Sequence, residues 1–142
     1  MRILIVNGPN LNLLGTRQPA IYGTATLDDI IAGLRRRFPH VTFGHLQSNH
    51  EGTLIDAIQQ AACGPEPYDG IVLNAGGYTH TSVALADAVA AIPLPVIEVH
   101  ISNIHAREPF RRTSLLAPVC RGTISGLGPA VYALAVAALT DF

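Results

Sequence analysis

Short runs of branched apolar residues alternate with stretches of helical spacing along the whole chain, and no other feature restricts the fold as strongly. The run from Arg2 to Asn7 is continuously apolar between its ends, as expected for a strand buried on both faces. Thr26 to Asp29 has the form of a capping box, after which Leu27, Ile30, Ile31, Leu34 and Phe38 keep helical spacing until Pro39. Val41 to Leu46 reads as a second strand, and a helix from Glu51 to Cys63 stops at Gly64. Tyr68 to Asn74 is the third strand. Ser82 to Ile92 is the third helix, closed by Pro93 and Pro95, and Val96 to His100 is the fourth strand. Val119 to Ser125 is the fifth, and Pro129 opens a last helix at its first position.

Strands this short and apolar, each followed by a helix, form a parallel sheet covered on both faces. Five of them within 142 residues predict a single α/β domain spanning 1–142, a flavodoxin-like doubly wound sheet. In such sheets ligands bind beyond the carboxyl ends of the strands. Four segments fall there: Asn7 to Gly23, Gln47 to Gly52, Asn74 to Thr81, and His100 to Leu116.

Composition removes several classes of function. All nine basic residues are arginine, so neither a lysine Schiff base nor a Walker A loop can be built. A net charge of −1 without a basic stripe argues against nucleic acid, and Arg35 to Arg37 reads as a solvated helix face. The longest apolar run, Ala130 to Leu139, is half a membrane span, and the N-terminal run is too short for a signal-peptide core. Cys63 and Cys120 show no redox or metal spacing and read as reduced, packed thiols of a soluble cytoplasmic protein. The histidines lack compact zinc spacing, so no metal and no cofactor is implied. Only 13% of residues are charged, about half the usual share, which predicts surface covered by neighbouring subunits in an obligate homo-oligomer.

The segments at the strand ends hold the candidate chemistry. The first is a long aperiodic loop of the kind that forms lids, and it carries Arg17 and Tyr22. A guanidinium steadies a phenolate, so this pair would make a base on a closing lid; taken alone, such a pair is more often a surface stacking pair. In the fourth segment Glu98 and His100 share one strand face, where the carboxylate would orient the imidazole as a general acid. The same pair also describes a core histidine with a satisfied partner. Ile101 and Ser102 offer backbone N–H groups and a hydroxyl to an anion, and Arg107 and Arg111 follow. The third segment brings Asn74 and His80 to paired glycines and a helix start, a polar subsite or a capped turn. The second segment could touch ligand or only cap the helix, and capping is the plainer reading.

Taken together, these segments resemble the type II 3-dehydroquinate dehydratases (type II dehydroquinases). The matching stretches are Gly8 to Gly15 with Arg17 and Tyr22, Gln47 to Gly52, Asn74 with Gly77 to Ser82, and Glu98 to Asn103 with Arg107 and Arg111. The resemblance implies a cofactor-free lyase performing an anti elimination of water from 3-dehydroquinate through an enolate. It implies Tyr22 as base, Arg17 keeping it ionised, Asn10 holding a water at the enolate oxygen, and His100, oriented by Glu98, as acid. It also implies substrate contacts from Asn74, His80, Ile101, Ser102 and Arg111, with Arg107 closing over the site. Trimers assembled into dodecamers, with Asp87 reaching a neighbour's site, follow from the same likeness. Gln18, Ala75 and Leu127 depart from its pattern, which bears on lid tethering and affinity. The competing readings are a flavodoxin-like small-molecule or nucleotide-binding module without catalysis, and an inactive scaffold.

Overall fold

The apolar runs become five parallel strands in a computed structural model that describes residues 1–141. They are β1 (Arg2–Asn7), β2 (Thr42–Gln47), β3 (Gly70–Asn74), β4 (Val96–His100) and β5 (Gly122–Ser125), in the order β2-β1-β3-β4-β5. The helices are α1 (Pro19–Tyr22), α2 (Leu27–Arg37), α3 (Glu51–Cys63), α4 (Val83–Ala90) and α5 (Ala130–Thr140). This is the doubly wound α/β order predicted from the alternation, with its switch point between β1 and β3.

Side-chain alternation sends each strand's residues to two separate cores. Ile3 and Ile5 of β1, Val72 of β3, and Ile97 and Val99 of β4 pack with α2 and α5. Leu4 and Val6, Ile71 and Leu73, and Val96 face the other way, onto Leu54 and Ile58 of α3 and Leu85 and Val89 of α4. The same parity fixes the ends of the strands. Asn7 and Asn74 fall on the α5 face, while Glu98 and His100 fall on the α4 face. The site at the carboxyl edge is therefore supplied from both sides of the sheet.

Local signals account for most boundaries. The Thr26 hydroxyl accepts from the Asp29 N–H and the Asp29 carboxylate accepts from the Thr26 N–H, so the expected capping box starts α2. Ser82 caps α4 from outside instead of forming its first residue, and that helix ends at Ala90, short of Ile92. The third strand begins at Gly70, not Tyr68, and Pro129 precedes α5 as its cap residue. The largest difference is at β5, expected from Val119. Val119 closes a single 3-10 turn, Ala117–Val119, because Pro118 has no N–H to give a ladder, and pairing with β4 starts at Gly122 opposite Ile97. Cys63 is exposed at the end of α3, against the expectation of a packed thiol.

One glycine decides how closely the strand ends approach. The Gly8 N–H donates to the Asn74 carbonyl at 2.7 Å, and a Cβ on Gly8 would collide with the Ala75 carbonyl. Without that glycine, the exits of β1 and β3 could not sit side by side.

Candidate active site

A cavity of about 160 Å³ opens at the carboxyl ends of β1, β3 and β4. Ten of the residues singled out from the sequence line it: Asn10, Arg17, Tyr22, Asn74, His80, His100, Ile101, Ser102, Arg107 and Arg111. Leu11, Leu14 and Ile104 supply an apolar wall that the sequence reading missed. The space lies below the roughly 300–1,000 Å³ of sites that take drug-sized ligands, and it suits one small polar molecule.

On the β4 side, His100 Nε2 lies 2.6 Å from Glu98 Oε1, and Glu98 is fully buried. Nε2 therefore donates to the carboxylate and Nδ1 remains for other work. The His80 ring stacks on His100 with centroids 6.3 Å apart. His80 Nδ1 donates to the Thr113 carbonyl at 2.8 Å, which leaves its Nε2 as the free ring nitrogen. Both imidazoles are thus fixed in tautomer and orientation by partners outside the cavity.

On the lid side, the expected arginine–tyrosine pair is present, with a change of partner. Arg107 donates to the Tyr22 hydroxyl at 2.9 Å and also stands over its ring. Arg17 meets the ring alone, its guanidinium carbon 5.5 Å from the centroid. The residue aimed at the phenolic oxygen is consequently Arg107, contributed from 85 positions away. Asn10 adopts a left-handed conformation (φ 68°) at the mouth, tied down where its N–H donates to Asn49 Oδ1.

Asn74 is held from behind by a network that periodicity could not reveal. Its Nδ2 donates to the Tyr132 hydroxyl at 2.9 Å, and that hydroxyl donates to Asn7 Oδ1 at 2.6 Å. Tyr132 is fully buried on α5, and burial raises its phenol well above the ordinary range, so it stays protonated and keeps donating. Asn74 Oδ1 accepts from the Gly76 N–H at 3.3 Å, leaving the second Nδ2 hydrogen for an acceptor in the cavity.

A family model described as "Dehydroquinase class II" matches residues 1–140, nearly the whole chain. The chain belongs to the class II dehydroquinase family. It is 55% identical to the 3-dehydroquinate dehydratase of an Exiguobacterium species over 99% of this chain and 95% of that one. The crystal structure of the type II dehydroquinase from Butyrivibrio crossotus superposes with a TM-score of 0.94 at 43% identity, covering 99% and 97% of the two chains. That from Propionibacterium acnes gives 0.92 at 41% identity, with 99% and 97% covered.

Within this class II dehydroquinase framework, two of the expected site residues stand apart from the cavity walls. Glu98 lies behind His100, and Asp87 is exposed on α4. Of the three residues read from the sequence as departures, Gln18 takes a left-handed conformation (φ 42°) before α1, which costs a side-chain-bearing residue about 1 kcal/mol. Ala75 is buried between the strand exits, and Leu127 is exposed. Burial, then the charge of Glu98, pushes the Cys120 thiol up to about 12, so this neighbour of the site carries no reactive thiolate. Among the described residues no group of three or more histidines, cysteines or carboxylates is placed to hold a metal ion, and no helix is long and apolar enough to cross a membrane.

Proposed function

We propose that this chain eliminates water from 3-dehydroquinate to give 3-dehydroshikimate, a step of aromatic biosynthesis by the shikimate pathway or of quinate breakdown. One observation carries the reading: a tyrosine hydroxyl gripped by a guanidinium and a histidine gripped by a carboxylate line the same small cavity. The proton beside the substrate ketone can be removed because the resulting charge spreads onto the carbonyl oxygen as an enolate. Tyr22, as a phenolate steadied by the Arg107 hydrogen bond, takes that proton. Arg17, over the same ring, adds a second positive charge. Asn10 holds a water at the enolate oxygen. The enolate's electron pair then closes the new C=C bond as the C–O pair goes to the departing oxygen, to which His100 gives its proton, so that it leaves as water. Asn74, His80, Ser102, the Ile101 backbone and Arg111 receive the substrate's oxygens.

Adding 3-dehydroquinate to the purified protein, with a chelator present, should raise the ultraviolet absorbance of the conjugated enone product. A flat trace from folded protein would overturn this reading and favour a binding module.

The assembly belongs to the same proposal: trimers gathered into a dodecamer, with Asp87 completing the site of an adjacent subunit. Val83 is 64% exposed one turn before Asp87, so the outer face of α4 presents an apolar contact beside a carboxylate. Asp87→Ala should lower kcat/KM roughly 10- to 100-fold, the cost of a hydrogen bond to a charged group, while the assembled mass stays unchanged. A fully active dissociated subunit would refute the role.

A further inference from the structure

Glu98 makes both of its hydrogen bonds through one oxygen. Oε1 accepts from His100 Nε2 at 2.6 Å and from the Ser114 hydroxyl at 2.7 Å, while Oε2 is buried without a partner among the described residues. The serine is itself fully determined. Its oxygen accepts from the N–H groups of Leu116 at 3.1 Å and Ala117 at 2.9 Å, and its single hydrogen goes to Glu98. The residues on either side of Ser114 are also fixed to the site. The Thr113 carbonyl accepts from His80 Nδ1 at 2.8 Å, and the Leu115 N–H donates to the Thr79 carbonyl at 2.9 Å.

We infer that Ser114 is a positioning residue for the elimination, holding Glu98 so that its carboxylate keeps the His100 ring aimed at the leaving group. The inference rests on His100 being the acid. Without the serine hydroxyl Oε1 is held by His100 alone, so the carboxylate loses the one contact that fixes its tilt independently of the ring. Thr113 to Leu115 then acts as one short clip that sets both stacked histidines.

The test is a mutant cycle on the full-length protein, read as kcat and KM for 3-dehydroquinate. Ser114→Ala should lower kcat about 10-fold, the worth of a hydrogen bond to a charged group, with KM changed by less than about 3-fold. Ser114→Thr, which keeps the hydroxyl, should recover most of the loss. In a Glu98→Gln background, Ser114→Ala should cost less than about 3-fold more, because its partner's charge is already gone. Should Ser114→Ala fail to fold, Ser114→Cys carries the test: its weak donor should still lower kcat several-fold. Wild-type kcat in folded Ser114→Ala or Ser114→Cys beside an impaired Glu98→Gln enzyme would overturn the serine's role alone. Losses that multiply fully in the double variant would overturn it too. A Glu98→Gln enzyme with wild-type kcat would instead overturn the His100–Glu98 reading beneath it.

Discussion

Tyr22→Phe should reduce kcat by about 10²- to 10⁴-fold, the usual contribution of a general base, and leave affinity for 3-dehydroquinate within a few-fold of wild type. The substitution removes one oxygen, whose hydrogen-bond partner is Arg107. The ring remains, packed on the α2/α5 core and flanked by Arg17 and Arg107, so α1 keeps its seat. Calorimetric titration with 3-dehydroquinate reads affinity on an enzyme that consumes its ligand only slowly. Turnover within tenfold of wild type would place the base elsewhere.

His100→Ala should fail in two separable ways. Turnover should fall by a similar 10²- to 10⁴-fold, because the proposed proton donor is gone. The folded state should also lose about 3–5 kcal/mol, since the fully buried Glu98 carboxylate then keeps only the Ser114 hydroxyl as a partner. That is a large part of the roughly 5–15 kcal/mol holding a domain together. The double variant His100→Ala/Glu98→Gln should regain much of that stability and none of the turnover, because the neutral amide needs no countercharge. Urea unfolding of the three proteins beside the absorbance assay decides the matter. A single variant as stable as wild type would show that the histidine does not compensate the carboxylate.

Features with a local cause were legible in the sequence. The central strands β1, β3 and β4 announced themselves by apolar runs, the parallel topology followed from the alternation, and three of the four segments at the carboxyl ends line the cavity. Strand parity alone puts Glu98 beside His100, where the structure has them hydrogen-bonded. What escaped were partnerships between residues distant in sequence and lying in segments without a period. Tyr132 sits in a helix whose neighbours are all apolar and reads as core, yet its hydroxyl joins Asn7 and Asn74, 125 and 58 positions away. Ser114 lies in an irregular stretch where no spacing marks one serine above another. The Arg17–Tyr22 proximity was visible, but the direction of Arg107 depends on how the segment after β4 folds back across the lid. Pro118 was the neglected signal at β5: a missing N–H forecasts a late start to the ladder.

The proposed acid and base belong to parts of the molecule with unequal grip on the core. His100 ends β4, in which every residue is buried, whereas Tyr22 ends α1, a single helical turn with no buried residue entered through the left-handed Gln18. They therefore fall in different cooperative units, one opening only when the sheet melts and the other at far smaller cost. Gentle warming would silence the enzyme while its circular dichroism still reported an intact fold. Substrate, touching both units at once, would draw the two transitions together by mass action.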